Sequence, residues 1–348
     1  MRGATDMGDL LAAATVGRTG PRSIWRERET ERTSEPASTE KAAMPVGRGA
    51  RGVRPARRLG TIAAAIEPES MIDMGTLESR TALVTGAGRG IGAALARKLA
   101  SEGVAVLATD LDAEPLERVV GDIGAAGGSA VALAGDVTAG DFAARAVARA
   151  VEDMGGLDIL VNNAGYIWNT TIQNTSDEQW EAMLEVHLTA PFRLLRVAAD
   201  YFRAQSRREA EEGVVRRRKV VNVSSLSGLG GEPTQVAYAT AKAGVVGLTK
   251  SLAKAWGRYH VNVNCVAFGY IETRLTQGWQ GDPATIEVKG RRLKVGFDRR
   301  VAESLMARVP LGRAGTAEEG AGAIYLLCLP EADYVTGQVL VCDGGAFQ

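Results

Sequence analysis

Short apolar runs rich in valine, leucine and alanine recur between residues 81 and 341, and they alternate with longer segments whose apolar positions follow a helical period. The runs predict seven buried strands, at residues 81–85, 104–109, 130–134, 158–161, 219–223, 261–266 and 338–341. The longer segments predict helices at residues 90–101, 113–124, 141–154, 177–203, 237–256 and 317–327. This alternation predicts one α/β domain, a doubly wound parallel sheet flanked by helices on both faces.

Residues 1–75 lack this periodicity and are rich in Arg, Ala, Gly, Thr, Pro and Glu. Their composition predicts a disordered extension, followed by a single folded domain over residues 76–348. The arginines between Lys41 and Ile66, where no acidic residue occurs, are typical of an organellar transit peptide, but the acidic residues before Lys41 are not. We therefore expect a cytoplasmic protein, with organellar targeting as the lesser alternative.

The composition argues against several classes of partner. Lys+Arg and Asp+Glu number 41 each, so the net charge is zero and a nucleic-acid partner is not expected. The sequence has no apolar run of the about 18 residues that a membrane span needs. Two histidines and no cluster of ligands predict the absence of a metal site. Three separated cysteines in apolar surroundings are predicted to be buried free thiols: Cys265, Cys328 and Cys342.

The first predicted strand runs into the sequence TGAGRGIG, at residues 85–92, which opens the first predicted helix. Glycine reaches positive φ at low cost and lets a ligand approach the backbone, while the helix N-terminus offers N–H groups to a pyrophosphate. The stretch therefore predicts a dinucleotide-binding loop, although an ordinary glycine-rich turn is the alternative. The residues expected to bind the cofactor here are Gly86, Arg89, Gly90, Ile91 and Gly92.

Acidic and amide residues follow the next three predicted strands, at the sheet edge where ligands bind in open α/β folds. Asp110 is placed to accept hydrogen bonds from the adenosine ribose and to repel a 2′-phosphate, which favours NAD(H). The cation at Arg89 favours NADP(H), so NADP(H) is not excluded. The alternative for Asp110 is a simple turn residue with no contact to the cofactor. Asp136 and Val137 are expected at the adenine.

After the fourth predicted strand come Asn162, Ala164 and Gly165, which are also expected to contact the cofactor. The asparagine pair at residues 162–163 could instead tie strand ends together, and we expect both roles.

Tyr238 and Lys242 lie four residues apart in a predicted helix, so their side chains share one face, and Ser225 follows the fifth predicted strand. Such a Tyr–Lys pair alone is typical of an exposed helix. A tyrosine with its usual pKa of about 10 is a poor base, but a lysine ammonium and a nicotinamide cation favour the phenolate. We predict that Tyr238 exchanges a proton with a ketone or alcohol, that Ser225 holds the substrate oxygen, and that Lys242 binds the nicotinamide ribose.

Five motifs together resemble the classical short-chain dehydrogenase/reductase family over about residues 77–348: TGAGRGIG, NNAG (162–165), NVSS (222–225), YATAK (238–242) and YVTGQVLVCDGG (334–345). Within the family, AKAGVVGLTKSLAKAWGRYHVNVNCVA resembles the 3-oxoacyl-(acyl carrier protein) reductase branch. The resemblance implies a Rossmann-type sheet of seven strands, NAD(P)-dependent interconversion of a ketone and a secondary alcohol, and a homotetramer. It also implies that Gly269, Ile271 and Thr273 line the nicotinamide pocket.

Two positions depart from the family pattern. His187 stands where the family has an asparagine that holds a water in the proton relay, and we consider His187 a candidate relay group, with a structural role as the alternative. Phe268 replaces a proline before Gly269, so the geometry of that loop is less constrained.

Two further charged stretches are assigned from the pattern. Residues 274–308 match the substrate-facing lid of the family and are basic, which fits either contact with a phosphopantetheine or coenzyme A phosphate or a solvated lid. Residues 203–219 are predicted to be a solvated helix end and loop.

The expected function is reduction of a 3-oxoacyl thioester. The alternatives are a polyol, sugar or hydroxysteroid dehydrogenase and, more remotely, a non-catalytic NAD-binding regulatory protein.

Overall fold

A parallel sheet forms the centre of the protein, and its middle strands are buried along their whole length, as expected where helices cover both faces. The computed structural model describes residues 77–279, 282 and 284–347. The extension predicted over residues 1–75 lies outside these residues, so its predicted disorder stays a prediction.

The described residues form eleven strands and nine α-helices. The strands are β1 (Thr81–Thr85), β2 (Ala105–Asp110), β3 (Ala130–Ala134), β4 (Ile159–Asn162), β5 (Arg218–Ser225), β6 (Val261–Phe268), β7 (Gly278–Trp279), β8 (Ala284–Val288), β9 (Arg291–Val295), β10 (Phe297–Asp298) and β11 (Val339–Cys342). The helices are α1 (Gly90–Ser101), α2 (Ala113–Ala125), α3 (Phe142–Met154), α4 (Asp177–Leu184), α5 (Ala190–Glu211), α6 (Leu226–Gly230), α7 (Val236–Trp256), α8 (Arg299–Met306) and α9 (Ala317–Leu326).

Seven of the strands form the sheet in the order β3-β2-β1-β4-β5-β6-β11, and every pair is parallel. The seven predicted strands and the Rossmann-type architecture are thereby confirmed. Each strand boundary lies within two residues of its predicted position. The strand order reverses between β1 and β4. In such sheets this reversal opens a crevice at the carboxyl ends of the strands, where ligands bind.

Alternating strand residues feed two apolar cores, one on each face of the sheet. Val84 and its neighbours pack against α1, α2 and α9, whereas Leu83 and its neighbours pack against α3, α5 and α7. Both side chains are fully buried. The two cores hold the sheet between two helical layers and fix the ends of the strands that carry the polar residues.

The long helix predicted over residues 177–203 is interrupted. A π-helical segment, Glu185–Thr189, separates α4 from α5, and α5 continues to Glu211. A π-helical turn adds a residue to the helical repeat and redirects the side chains that it carries. His187 lies in this segment.

The prediction that residues 203–219 form a solvated stretch was wrong at its carboxyl end. Arg218 is 2% exposed and begins β5, where its guanidinium pairs with Glu209 of α5 at 3.0 Å. Arg216 pairs with the buried Asp158 at 2.8 and 2.9 Å. Arg216 and Arg218 therefore hold acidic partners at the amino ends of β4 and β5, and of these two only Arg218 is shielded from water.

Residues 284–295, within the predicted lid, form a β-hairpin that the sequence pattern did not predict. Strands β8 and β9 pair antiparallel, and the two turn residues, Lys289 and Gly290, have φ of 52° and 75°. These values are those of the tight hairpin turns that match strand twist. The hairpin carries its own small apolar cluster and packs against Tyr166 and Trp168.

Within the described residues, no helix is both long and apolar enough to cross a membrane, and no group of three or more His, Cys, Asp or Glu side chains is arranged to hold a metal ion. Cys265 and Cys328 are buried free thiols as predicted, and Cys342 is partly buried.

Candidate active site

The glycine loop between β1 and α1 closes on itself so tightly that only glycine fits. Gly86 and Gly90 have φ of +66° and +53°, and a Cβ added to Gly92 would lie 2.0 Å from the carbonyl oxygen of Gly86. The side chain of Asn163 donates hydrogen bonds to the carbonyl oxygens of Thr85 and Gly86, at 2.9 and 3.1 Å. This loop gives a ligand access to bare backbone at a helix N-terminus.

The residues of this loop fit the phosphates of a dinucleotide. No side chain caps the N-terminus of α1, where Arg89 is the capping residue, so the first N–H groups of the helix lack side-chain partners. The loop forms one wall of a cleft of about 1170 Å³ along the carboxyl ends of the strands. Pyrophosphate in this place would gain backbone hydrogen bonds and the positive end of the helix dipole.

The cleft brings together nearly all of the residues that were singled out from the sequence. Those that line it are Gly86, Arg89, Gly90, Ile91, Gly92, Asp110, Asp136, Val137, Ala164, Gly165, His187, Ser225, Tyr238, Lys242, Gly269, Ile271 and Thr273.

Asn162 is the exception, because it does not line the cleft. Its side chain is buried and donates to Asn222 of β5 at 2.8 Å, and Asn222 in turn donates to Thr249 of α7 at 3.0 Å. The strand-tying role expected for the asparagines is therefore confirmed. The neighbouring Asn163 lines the cleft and holds the glycine loop instead.

At the end of β2, the Asp110 carboxylate organises the turn beside the glycine loop. It accepts hydrogen bonds from the backbone N–H groups of Gly88, at 2.9 Å, and Asp112, at 3.1 Å. Arg89 forms an ion pair with Asp112. Burial and the charge of Arg89 lower the pKa of Arg274, which identifies a second cation beside these carboxylates that the sequence analysis did not single out.

Asp136, after β3, sits in a network of three groups. Its Oδ1 accepts from the backbone N–H and the hydroxyl of Thr138, at 2.9 and 2.8 Å, and its Oδ2 pairs with Lys289 at 2.9 Å. Burial raises the pKa of Asp136, but the hydrogen bonds from Thr138 and Lys289 outweigh burial and leave this pKa below its ordinary value. The carboxylate is thus ionised and faces the cleft.

Ser225, Tyr238 and Lys242 meet at the floor of the cleft. Ser225 ends β5 and caps the short helix α6, while Tyr238 and Lys242 lie one turn apart near the start of α7. The Lys242 ammonium donates to the carbonyl oxygen of Val223 at 2.7 Å and lies 5.7 Å from the centre of the Tyr238 ring. The predicted spacing therefore produces the predicted cluster.

Burial controls the protonation of this cluster. It raises the pKa of Tyr238 above its ordinary value of 10.0, and a hydrogen bond with Ser225 offsets the rise only in part. Burial lowers the pKa of Lys242 to about 8. The expectation that the Lys242 ammonium and a nicotinamide cation together favour the phenolate stays a prediction for the complex with NAD⁺.

His187 lies beside Tyr238, with the ring centres 4.9 Å apart and the ring planes at 89°. Its Nε2 is 2.7 Å from the carbonyl oxygen of Tyr166, which can only accept, so Nε2 carries the hydrogen. Nδ1 is then an acceptor, and it is buried with no hydrogen-bond partner among the described residues. Burial and the charge of Lys242 lower the pKa of His187 well below 6.5, so the ring is neutral.

An apolar wall lies next to this cluster, and the sequence analysis did not single it out. Tyr166 follows the NNAG motif and lines the cleft with Leu275, and Ile286 and Val288 of the hairpin continue the wall. The position of an aromatic residue directly after a cofactor-binding motif could have indicated Tyr166.

Gln235 also lines the cleft and was not singled out from the sequence. Its side-chain oxygen accepts a hydrogen bond from the Ser227 hydroxyl at 2.7 Å.

Comparison with known proteins decides the family. The sequence model of the short chain dehydrogenase family matches residues 80–284, which is more than half of the chain. The chain is a short-chain dehydrogenase/reductase. Proteins of this family are NAD(P)-dependent oxidoreductases that act on CH–OH groups.

Individual relatives match about three quarters of this short-chain dehydrogenase/reductase. A 3-oxoacyl-[acyl-carrier-protein] reductase FabG from Thermotoga maritima is 35% identical over 269 residues, which cover 77% of this chain and 98% of the relative. Nodulation protein G of Rhizobium sp. is 35% identical over 271 residues, which cover 77% of this chain and 97% of that relative.

A crystal structure of a putative NAD(P)-dependent gluconate 5-dehydrogenase from Beutenbergia cavernae, with bound NADP, is 33% identical to the chain. It has a TM-score of 0.65 and covers 78% of this chain and 98% of its own. The relatives therefore share the fold and differ in the substrates that their names give.

Proposed function

We propose that this protein reduces the ketone of a 3-oxoacyl thioester to a secondary alcohol. The observation that supports this most is the cluster of Ser225, Tyr238 and Lys242 beside an apolar wall. An acyl chain gains from contact with such a wall, whereas a polyol in the same place would leave hydroxyl groups unpaired. The 3-oxoacyl reductases among the relatives support the same substrate class.

In the proposed reaction, the Tyr238 hydroxyl donates its proton to the ketone oxygen, which the Ser225 hydroxyl holds in place. A bound nicotinamide supplies the hydride that the carbonyl carbon receives. The raised pKa of Tyr238 keeps its hydroxyl protonated at neutral pH, as reduction requires. Oxidation of the alcohol needs the phenolate, so we expect its rate to increase as the pH rises into the alkaline range.

Lys242 supports this step in two ways. One of its three N–H donors is engaged by the carbonyl oxygen of Val223, which fixes the ammonium at the base of the cleft. We propose that the remaining donors hold the nicotinamide ribose and return a proton to Tyr238 after each turnover.

We propose that His187 completes the route by which protons reach Lys242. Its buried, unpartnered Nδ1 is an acceptor, which suits a bound water, and the π-helical segment directs the ring towards Tyr238. We expect His187→Ala to lower kcat by about tenfold and to change the pH profile of reduction. His187→Asn, which keeps a side-chain acceptor, should retain most of the activity. Full activity of His187→Ala at every pH would remove His187 from the mechanism.

For the cofactor, we propose NAD(H), with NADP(H) as the lesser alternative. The Asp110 carboxylate lines the cleft at the end of β2, where we expect the ribose, and the Arg89 guanidinium pairs with Asp112. A 2′-phosphate beside Asp110 would place like charges together. The bound NADP in one structural relative keeps the alternative open.

The test is steady-state oxidation of NADH and NADPH with acetoacetyl-coenzyme A, compared with Tyr238→Phe. Turnover that Tyr238→Phe abolishes would support the reductase, and the ratio of the two cofactors would test the preference for NADH. No turnover, with NADH binding retained, would instead favour a polyol, sugar or hydroxysteroid dehydrogenase, an alternative that the gluconate 5-dehydrogenase relative supports. Hydride transfer to any ketone would exclude the alternative of a non-catalytic regulatory protein.

The homotetramer that the family resemblance implies also belongs to this proposal. Light scattering during size-exclusion chromatography tests it directly.

A further inference from the structure

The tip of the β8–β9 hairpin touches the adenosine end of the cleft. The Lys289 ammonium lies 2.9 Å from Asp136 Oδ2 and donates to the Thr138 hydroxyl at 2.6 Å. Lys289 and Thr138 are 151 positions apart in sequence, so the contact joins two distant segments of the chain, both of which line the cleft. Lys289 and Gly290 form the tight turn, so the lysine lies at the tip of the hairpin.

Other residues of the hairpin contact the start of α4 and the segment that follows β4. Arg291 pairs with Glu178 at the start of α4, and its guanidinium lies 5.8 Å from the centre of the Trp168 ring. The apolar residues of the hairpin pack on Tyr166, Trp168 and Leu275. The hairpin therefore has an apolar base beside the catalytic cluster and a charged tip at Asp136.

We propose that this hairpin is a clamp on the cofactor and that Lys289 is a positioning residue for its adenosine half. The inference rests on the proposed cofactor site, in which Asp136 holds the adenine amino group. Lys289 would fix the orientation of Asp136 and close the mouth of the adenine pocket, so that the dinucleotide leaves only after the hairpin tip has detached.

The acceptor capacity of Asp136 allows both partners at once. A carboxylate offers about four lone-pair positions. Thr138 occupies two of them on Oδ1, and Lys289 occupies one on Oδ2. One position on Oδ2 is left for an amino group, so adenine binds beside the Lys289 ammonium and does not have to displace it.

The strength of the contact suits a reversible clamp. The side chains of Lys289 and Asp136 are 46% and 28% exposed, and an ion pair of this exposure is weak and screened by salt. The apolar base keeps the hairpin folded while the tip opens. Loss of Lys289 should therefore weaken cofactor binding by a modest factor and leave the proton-transfer cluster intact.

The first experiment measures binding of ADP, which carries only the adenosine half, by calorimetry, and NADH release by stopped-flow fluorescence. We expect Lys289→Ala to weaken ADP binding and to speed NADH release, each by about threefold to fivefold at low salt, with the difference shrinking at high salt. Lys294→Ala is the matched control, because Lys294 is exposed on the same hairpin and does not line the cleft. Equal ADP affinity in Lys289→Ala and Lys294→Ala would overturn the clamp.

Asp136→Ala separates this proposal from the one on which it rests. If Asp136→Ala leaves ADP binding unchanged, the proposed adenine position is wrong. If Asp136→Ala weakens ADP binding and Lys289→Ala does not, the adenine position stands and the clamp fails. When both are right, Lys289→Ala adds little further loss in the Asp136→Ala background, because the two residues act through one contact.

Hydrogen exchange gives a readout that a purely structural lysine would not change. ADP should slow amide exchange in residues 284–295 of the wild-type protein, since binding holds the tip closed. The same protection should be largely lost in Lys289→Ala. ADP-dependent protection of equal size in both proteins would contradict the clamp.

Discussion

Two carboxylates, Asp110 and Asp112, lie where we propose that the adenosine ribose binds. Asp110 faces the cleft, while Asp112 pairs with Arg89 and thereby reduces the positive charge available to a 2′-phosphate. Removing either carboxylate leaves Arg89 and the neighbouring Arg274 with less opposing charge. Discrimination between the two cofactors is therefore expected to depend on both acidic residues, not on Asp110 alone.

We predict that Asp110→Ala and Asp112→Ala each raise the ratio of kcat/KM for NADPH to that for NADH by about tenfold or more. Glu114→Ala, which removes the same charge from an exposed pair with Arg118, should leave the ratio unchanged. Steady-state kinetics with both cofactors checks this. A wild-type preference for NADPH would show that Arg89 and Arg274 outweigh the carboxylates.

The buried position of Lys242, which we propose to serve proton transfer, is unfavourable for the stability of the folded protein. It is 4% exposed, and burial lowers its pKa from 10.5 to about 8. Its charged form is thus disfavoured in the folded protein by on the order of 3 kcal/mol. Between pH 8 and 10.5 the unfolded chain binds more protons at this residue, so its destabilising effect is full below pH 8 and declines as the pH rises through this window.

We predict that the Lys242→Met variant has no turnover but is as stable at pH 7 as the wild type, or more stable by about 1–2 kcal/mol in the free energy of unfolding. Removal of the buried charge stabilises the variant, and loss of the hydrogen bond to Val223 offsets part of that stabilisation. The advantage of the variant should disappear towards pH 10. Urea unfolding of both proteins at a series of pH values measures this difference in stability. Other titrating groups affect both proteins nearly equally and therefore cancel in the difference. A variant that is much less stable at pH 7 would contradict the prediction.

At the scale of elements, the end of α5 and the start of β5 are joined by a buried ion pair. The Arg218 side chain is 3% exposed and pairs with Glu209, which is 12% exposed, while Asp158 lies 4.0 Å away. Burial lowers the pKa of Arg218, but Glu209 and Asp158 more than compensate and raise it. A buried cation of this kind depends on its partner, and removing the partner leaves the charge without compensation.

We predict that Glu209→Ala lowers the free energy of unfolding by about 3 kcal/mol. Asp200→Ala is the control, since Asp200 lies on the same helix and pairs with Arg203 in an exposed position. It should change stability by less than about 0.5 kcal/mol. Denaturant unfolding distinguishes the two, and equal effects would mean that Arg218 does not depend on Glu209.

At the scale of the whole molecule, every group assigned to the site lies within residues 77–279 and 284–347. The chain end completes the cleft, because Ala346 and Phe347 line it and the Phe347 backbone N–H donates to Asp343 at 2.6 Å. The function of the domain should therefore depend on this short tail and not on the long N-terminal extension.

We predict that a chain beginning at Met71 keeps kcat/KM within about twofold and its Tm within about 2 °C of the full-length values. Deletion of residues 346–348 should instead raise KM for the acyl substrate, since it removes part of the cleft wall. Kinetics and thermal unfolding of both truncated chains test this. Loss of activity in the chain that begins at Met71 would assign a role to the extension.

Features that depend on neighbours in sequence were determined by the sequence itself. The strands were predictable because a buried strand needs a continuous apolar run, and the glycine loop because its turn excludes a Cβ. Tyr238 and Lys242 were predictable as a pair because four residues nearly complete a helical turn. These properties follow from local geometry and do not require knowledge of what packs against the segment.

Features that depend on distant segments were decided only by the tertiary structure. Asn162 pairs with Asn222 and does not line the cleft, Arg218 is buried, and Lys289 of the hairpin pairs with Asp136 after β3. The π-helical turn at His187 has no periodicity that separates it from an α-helix. Burial and charge pairing depend on how distant loops return to the sheet. The pKa of Tyr238 is raised by desolvation, which no spacing in the sequence encodes.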